Sequence, residues 1–263
     1  MSRSRATKTK IRNNKKDMTY ELSQALVNNC KAWQEGPQQR KHWSLYDLKE
    51  ISPLTMTQED LFHAFFAGYH VVGYGSAGTG KTLCAIWLAL KEVLNKQTKL
   101  DRIIIVRSNV ATREIGHLPG TAEEKLSVFE TPYRDALDFL IGKSSTYDDM
   151  KAAGLIEFMP TSFIRGQTWD NAIIIVDEAQ SMSWHEINSV ITRIGENSRL
   201  FVLGDTKQDD LIYRKYDTSG FPKALNIFEK MSSMAMVKFT HNDIVRSAFV
   251  KEWIITTEEN DLI

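Results

Sequence analysis

Eight consecutive residues form the strongest chemical pattern in the sequence. Two glycines separated by four residues are followed by a lysine and a threonine, in the segment Gly75, Ser76, Ala77, Gly78, Thr79, Gly80, Lys81 and Thr82. We call this segment the phosphate loop, because the backbone N–H groups of such a turn and of the helix that follows point at a bound phosphate. The pattern predicts that Lys81 reaches the β- and γ-phosphates of a nucleotide and that the Thr82 hydroxyl holds Mg²⁺.

Two adjacent carboxylates form the second pattern. Asp177 and Glu178 follow the apolar run 173–176, which is typical of a strand buried on both faces. Two carboxylates at the end of such a strand repel each other unless a cation or an ordered water organises them. We expect Asp177 to hold Mg²⁺ together with Thr82, and Glu178 to orient and deprotonate the water that attacks the γ-phosphate.

Three single polar residues are further candidates. Gln58 lies just upstream of the phosphate loop and can pair both a donor and an acceptor with an adenine edge. Gln208 follows the apolar run 200–203 and Gly204-Asp205, where it would sense the γ-phosphate. Arg246 is either an exposed helix residue or the cation that neutralises charge in the transition state. An ordinary surface position would also explain each of the three types.

The elements that must position these residues alternate between strands and helices. Unbroken apolar runs predict strands, and apolar residues at helical spacing predict helices. The predicted strands cover 71–74, 103–106, 156–159, 173–176, 200–203 and 234–239. The first predicted helix has Thr57 as N-cap with Asp60 reaching back, and it ends at Gly68. A second helix directly follows the phosphate loop. Two more are predicted over 122–129 and 133–141, and a last one begins at Asp243. This order predicts an α/β fold with a doubly wound, mainly parallel sheet, the RecA-like core of P-loop NTPases.

Composition places the chain among soluble proteins with a substantial core. It has 263 residues, 42% of them apolar, and two cysteines, which are too few for a disulfide framework. No apolar run reaches the length of a membrane span, so we expect a cytoplasmic protein with no membrane partner.

Charge divides the chain unevenly. Seven basic residues and no acidic residue lie in the first sixteen, and removing these seven from the 33 Lys and Arg leaves 26 against 33 Asp and Glu. We predict that residues 1–17 are a disordered basic tail able to contact RNA or DNA phosphates. Residues 18–51, with a helix over 20–33, would be an N-terminal extension, and residues 52–263 the core domain.

Several short motifs then carry a resemblance. The phosphate loop is followed by 118–120, 165–168, 176–180, 192–195, Gly204-Asp205 with Gln208, and 243–246. In this order the sequence resembles the PhoH-like family of ATPases over residues 53–254, with Ser76 and Ser108 standing where the family usually has proline. The resemblance implies ATP and Mg²⁺ as ligands, a likeness to the ATPase half of superfamily 1 helicases, and a role in RNA metabolism.

The resemblance also raises the question of which arginine completes the ATP site. Superfamily 1 helicases complete their ATP site with an arginine from a second core domain, and the sequence predicts only one such domain. We therefore expect a neighbouring subunit to supply it, with Arg246 as leading candidate and Arg193 or Arg165 behind it. Such a head-to-tail contact can close into a ring, and we predict a hexamer. The alternative is a monomer that hydrolyses ATP slowly, in which Arg246 serves only a helix.

Three functions fit these patterns. The first is an ATPase motor that depends on single-stranded RNA or DNA. Trp169, Trp184 or Phe163 could stack on bases, although residues of these types are more often found in a core or as ordinary surface residues. The second is a module whose ATP-bound state assembles or recruits a partner, with hydrolysis as a timer. The third is a small-molecule kinase, which we rank last because the Asp-Glu pair followed by Ala-Gln fits hydrolysis better.

Overall fold

The computed structural model describes residues 43–108, 122–206 and 218–260. Four groups of predictions therefore lie outside the described residues. These are the basic tail 1–17, the helix over 20–33, the turn at 118–120 and Gln208.

Six strands form one sheet within the described residues. They are β1 (His70–Gly75), β2 (Arg102–Arg107), β3 (Ile156–Pro160), β4 (Ala172–Val176), β5 (Arg199–Gly204) and β6 (Met234–Phe239). Their order across the sheet is β3-β2-β4-β5-β1-β6, and all five neighbouring pairs are parallel. Each predicted strand is confirmed, with small shifts at the ends.

Helices cover both faces of this sheet. The described helices are α1 (Met56–Phe66), α2 (Lys81–Val93), α3 (Ala122–Ile141), α4 (Thr146–Ala152), α5 (Trp184–Ile191), α6 (Phe221–Phe228) and α7 (Ala248–Glu259). Side chains of α1 to α4 pack on one face of the sheet, and those of α5 and α6 pack on the other. The predicted doubly wound α/β fold is therefore confirmed.

Strand β2 shows why its sequence is apolar without a break. Ile103 and Ile105 belong to the core on the α1–α4 side, whereas Ile104 and Val106 belong to the core on the α5–α6 side. Successive side chains of a strand point to opposite faces, so a strand covered by helices on both faces needs apolar residues at every position.

The start of α1 differs from the prediction. Thr55, not Thr57, is the N-cap: its backbone is extended, and its hydroxyl accepts a hydrogen bond from the N–H of Gln58 at 3.2 Å. The two threonines are close enough in sequence for either to match a capping pattern. The end of the helix agrees with the prediction, since α1 stops at Phe66 and Gly68 follows with a φ of +98°.

Helix α3 is continuous where two helices were predicted. Pro132 lies inside it and removes one backbone hydrogen bond, at a cost of about 3 kcal/mol in a helix interior. Tyr133, Leu137 and Leu140 are fully buried at helical spacing on the following turns. Burial of each large side chain contributes about 1.5–3 kcal/mol, which is enough to offset the proline.

The last helix begins later than predicted. Residues His241–Asp243 form a single 3₁₀ turn, and α7 starts at Ala248 with Ser247 as its N-cap. The carboxylate of Asp243 closes the turn by accepting from the N–H of Thr240 at 2.8 Å. Arg246 therefore precedes the helix and is not part of it.

Residues 43–51 pack onto the core, although the sequence analysis assigned them to the N-terminal extension. Leu48 is buried, the N–H of Lys49 donates to the carbonyl of Leu140 at 2.8 Å, and the indole of Trp87 donates to the carbonyl of Lys49 at 2.9 Å.

The described helices include none that combines the length and the apolar character needed to cross a bilayer.

Candidate nucleotide site

The phosphate loop connects the carboxyl end of β1 to the first turn of α2, as predicted. Gly75 and Gly80 have φ values of +115° and +80°, a region that side chains with a Cβ rarely adopt. A Cβ on Gly75 would overlap the carbonyl oxygen of Phe239, and one on Gly80 would lie 3.0 Å from Nε2 of Gln58. Both glycines are therefore required by the backbone and by its close neighbours.

Lys81 is held at the mouth of the loop. Its Nζ donates to the carbonyl oxygens of Gly75 at 2.9 Å and Ser76 at 2.7 Å. Burial lowers the pKa of Lys81, and nearby carboxylates, with Asp205 the strongest, oppose this shift. An ammonium at this position can bind a phosphate that enters the loop.

Asp177 connects the phosphate loop to helix α3. Its Oδ1 accepts from the hydroxyl of Thr82 at 3.1 Å, and its Oδ2 accepts from the hydroxyl of Tyr133 at 2.9 Å. Burial and the charge of Glu178 raise the pKa of Asp177, while Arg107 and the two hydroxyls oppose the rise. The tyrosine was missed from the sequence, because a residue 44 positions away from the aspartate carries no local signal.

Glu178 has an unusual backbone conformation, and its carboxylate is bonded to a buried glutamine. Its φ is +54°, which is uncommon for a residue other than glycine and costs about 1–3 kcal/mol. Nε2 of Gln180 donates to Oε2 of Glu178 at 2.5 Å, and Oε1 of Gln180 accepts from the N–H of Asp205 at 3.0 Å. Gln180 thus ties the carboxylate to the end of β5. The sequence analysis had noted Gln180 only as part of a motif.

These groups share one cavity of about 340 Å³. Its lining contains residues 77–83 together with Arg107, Pro132, Ala136, Asp177, Glu178, Gly204, Asp205 and Arg246. The carboxyl ends of β1, β2, β4 and β5 therefore meet here, as expected for ligand sites of open parallel sheets.

A model of the family described as "PhoH-like protein" matches residues 50–258, which is most of the chain. The chain belongs to the PhoH-like family. This confirms the family predicted from the motifs, and with it a P-loop nucleotide site.

Curated relatives of this PhoH-like protein are identical to it at about a third of the aligned positions. A PhoH-like protein of Mycobacterium tuberculosis strain H37Rv is 35% identical over 78% of this chain and 57% of its own length. The Bacillus subtilis PhoH-like protein is 33% identical over 78% of this chain and 63% of its own length. Protein PhoH of Escherichia coli K12 is 33% identical over 77% of this chain and 57% of its own length. The chain thus matches less than two thirds of these relatives' length.

Solved structures similar to this PhoH-like protein are more distant. The large terminase of a thermophilic bacteriophage, in complex with ADP, has a TM-score of 0.43 and 15% identity, over 76% of this chain and 49% of the terminase. The Pif1 helicase of Candida albicans has a TM-score of 0.34 and 17% identity, over 72% of this chain and 41% of the helicase.

In this PhoH-like protein Gln58 supports the phosphate loop. The side chain is buried, Nε2 donates to the carbonyl of Thr79 at 2.9 Å, and Oε1 accepts from the N–H of Leu54 at 2.8 Å. An amide has two N–H groups and two acceptor lone pairs. The adenine contact therefore stays a prediction beside this structural role.

Arg246 lies in the pocket of its own chain. The structure thus places beside its own phosphate loop the arginine that we expected a neighbouring subunit to contribute. Its approach to the loop depends on the turn before α7, which the sequence analysis interpreted as the first turn of the helix.

The predicted stacking residues are poorly placed for nucleic acid. Trp169 is only 2% exposed and its indole donates to Gln167, so its prediction as a stacking residue is wrong. Trp184 is half-buried beside the ammonium of Lys223, 4.3 Å from the ring centre, and Phe163 is also half-buried. The sequence analysis missed Phe249 and Trp253, which are 75% and 64% exposed on α7.

The residues present suit Mg²⁺. A hydroxyl and a carboxylate oxygen 3.1 Å apart, from Thr82 and Asp177, are hard oxygen ligands of the kind Mg²⁺ prefers. The described residues contain no group of three or more His, Cys, Asp or Glu that could hold a metal. Mg²⁺ typically binds protein through one or two such groups and keeps waters and substrate phosphates as its other ligands.

Proposed function

We propose that this PhoH-like protein hydrolyses ATP with the help of Mg²⁺. The main support is that two adjacent pairs of residues, Lys81-Thr82 and Asp177-Glu178, which are far apart in the sequence, line one cavity at the phosphate loop. A phosphate-binding ammonium, a pair of metal ligands and a carboxylate base are the groups that phosphoryl transfer to water requires.

The chemistry follows from the positions of these groups. Lys81 and the backbone N–H groups of the loop bind the β- and γ-phosphates. When bound at Thr82 and Asp177, Mg²⁺ neutralises charge on the phosphate oxygens. Water attacks the γ-phosphorus, the bond from that phosphorus to the β-phosphate oxygen breaks, and Glu178 accepts the proton of the water. The products are ADP and inorganic phosphate.

The test is ATP turnover by the purified protein, with Glu178→Gln as the matched blank. Glutamine keeps the size of the side chain and removes the base, so we expect turnover to fall by roughly 10²–10⁴-fold. Equal phosphate release by the two proteins would reject ATP hydrolysis at this site.

For the work that hydrolysis drives, the first candidate is a motor on single-stranded RNA or DNA. Support comes from the seven basic residues among the first sixteen and from the resemblance to the ATPase half of superfamily 1 helicases. Turnover should rise when single-stranded RNA or DNA is added, and the rise should weaken between low and physiological salt, since phosphate contacts release counterions. Equal ATP turnover with and without RNA or DNA would reject this candidate.

A second candidate is an ATP-gated module that assembles with itself or a partner. Helix α7 supports it, because Ile254 and Glu258 approach the phosphate loop while Phe249 and Trp253 face outward. A helix that touches the nucleotide site and exposes apolar side chains can couple the two. Light scattering with and without a non-hydrolysable ATP analogue tests this, and it also tests the hexameric ring, which remains a proposal. An unchanged mass would reject ATP-driven self-assembly.

A further inference from the structure

The segment before α7 is bonded directly to the phosphate loop of the same chain. The N–H of Val245 donates to the carbonyl of Gly78 at 3.0 Å. A Cβ placed on Gly78 would lie 3.0 Å from Cγ of Arg246 and 3.6 Å from its Nε. The arginine side chain therefore lies along the loop at its central glycine, inside the cavity that also contains Asp177 and Glu178.

Asp243 fixes this segment three residues before the arginine. Its carboxylate accepts from the N–H and the hydroxyl of Thr240 at 2.8 and 3.0 Å, and the nearby Thr55 and Thr57 hydroxyls further stabilise its charge. Burial alone would raise the pKa of Asp243, but these hydrogen bonds outweigh burial and lower it, so the residue is an ionised anchor at neutral pH.

The same anchor reaches the other side of the loop. Thr55 caps α1, and α1 carries Gln58, whose amide donates to the carbonyl of Thr79. The carbonyls of Gly78 and Thr79 are thus held by two segments, one from the start of α1 and one before α7, that lie side by side near Asp243. This arrangement places Arg246 beside the phosphate loop of its own chain.

The charges of the cavity give the arginine a role. Burial alone would lower the pKa of Arg107, the other arginine of the lining, but the nearby Tyr133 hydroxyl and the carboxylates of Asp177 and Glu178 raise it. Arg246 is exposed and, within residues 43–108, 122–206 and 218–260, takes part in no ion pair. A guanidinium binds phosphate oxygens with two parallel hydrogen bonds, which suits a ligand entering the loop.

From this geometry we infer that Arg246 binds the nucleotide phosphates in its own subunit and that Asp243 positions it. The inference rests on the proposed ATPase function and deepens it. The cation that a neighbouring subunit was expected to contribute is supplied in cis, so one copy of the chain brings together the ammonium, the carboxylates and the arginine.

The first test measures kcat and KM for Arg246→Ala and Arg246→Lys, with Lys251→Ala on α7 as the control for a lost surface charge. Removing a donor that stabilises transition-state charge costs about 10²–10³ in kcat, so we expect a fall of this size for alanine, a smaller fall for lysine and none for the control. Unchanged turnover in Arg246→Ala would overturn the inference.

The second test separates positioning from general damage. Asp243→Asn keeps the shape of the side chain and removes its charge, and we expect kcat to fall by about tenfold. Because Asp243 acts through Arg246, the double variant should be no slower than Arg246→Ala alone. Multiplied losses in the double variant would refute the positioning role.

The third test distinguishes cis from trans. In a mixture of Glu178→Gln and Arg246→Ala subunits, no chain has both intact residues, so the cis arrangement predicts no recovery of activity. Recovery would mean that Arg246 serves a neighbouring site. Turnover per milligram should also stay constant on dilution to concentrations at which light scattering finds single chains, and a fall on dilution would contradict the inference.

Failure of the proposed function would be visible separately. If the wild type does not exceed Glu178→Gln in turnover, ATP hydrolysis is rejected, and calorimetric binding of a non-hydrolysable ATP analogue still tests the arginine. We expect Arg246→Ala to weaken that binding by about tenfold, as for loss of a charge-assisted hydrogen bond. Equal affinity of the two proteins would overturn the inference even then.

Discussion

Replacing Tyr133 by phenylalanine tests the account of the metal site most directly. The ring is fully buried, so phenylalanine fills the same space, and only the hydroxyl that donates to Oδ2 of Asp177 at 2.9 Å is lost. A hydrogen bond to a charged group contributes about 1.5–3 kcal/mol. At 1.4 kcal/mol per factor of ten, this corresponds to roughly 10- to 100-fold in an equilibrium constant.

Two quantities should therefore change in Tyr133→Phe. The carboxylate loses a group that orients it, so the Mg²⁺ concentration for half-maximal ATP turnover should rise by about tenfold or more. Losing the donor also raises the pKa of Asp177 further, and the free energy of unfolding without Mg²⁺ should fall by about 1.5–3 kcal/mol at neutral pH. This loss of stability should disappear as the pH falls and Asp177 becomes protonated. Because its pKa is raised, this protonation occurs at a higher pH than is usual for an aspartate.

The assays are Mg²⁺ titrations of turnover and urea unfolding at two pH values. Tyr147→Phe is the matched control, because Tyr147 is also fully buried, whereas the tyrosine hydroxyl that donates to Asp177 is that of Tyr133. The control should keep the Mg²⁺ requirement of the wild type. A requirement within twofold of the wild type in Tyr133→Phe, with unchanged unfolding, would refute the role given to the tyrosine.

Three further outcomes follow from the structure. Gln180→Ala should lower kcat by roughly 100-fold with little change in KM, since it misplaces the attached carboxylate, whereas Gln167→Ala, whose side chain is bonded to Phe163 and Trp169 instead, should not. Glu258→Gln should lower the KM for ATP by about two- to tenfold at low salt, because it removes a negative charge near the phosphate loop. Glu259→Gln, at the adjacent exposed position, is its control. Equal KM values for Glu258→Gln and the wild type would contradict this prediction. Burial raises the pKa of Cys84 to about 12, so peptide mapping after iodoacetamide treatment at pH 8 should find it alkylated only in unfolded protein; rapid labelling of the native protein would argue against the packing of α2.

Much of the nucleotide site could be predicted because it depends on local backbone chemistry. A phosphate loop needs glycines at set positions and a lysine and a threonine after them, and this requirement lies within eight consecutive residues. The pair Asp177 and Glu178 was found for a similar reason, since carboxylates directly after a buried strand have no role in a core. The central strands β2, β4 and β5 were predictable because burial on both faces demands unbroken apolar runs.

The residues that the sequence analysis missed act across long separations. Tyr133 donates to a carboxylate 44 positions away, and Gln180 accepts from a backbone N–H 25 positions away. Neither spacing has a periodicity that a pattern could detect. Gln58 was identified, but its hold on the carbonyl of Thr79 became visible only once α1 was placed against the loop.

The sequence by itself determined the fold class, the phosphate loop and its two carboxylates, because each depends on short-range sterics or on the alternation of buried side chains along a strand. Only the tertiary structure decided where Arg246 belongs. The arginine reaches its own phosphate loop because the N–H of Val245 donates to the carbonyl of Gly78 and because Asp243 lies near Thr55 and Thr57, nearly two hundred residues away, and the sequence does not encode such contacts in any local pattern.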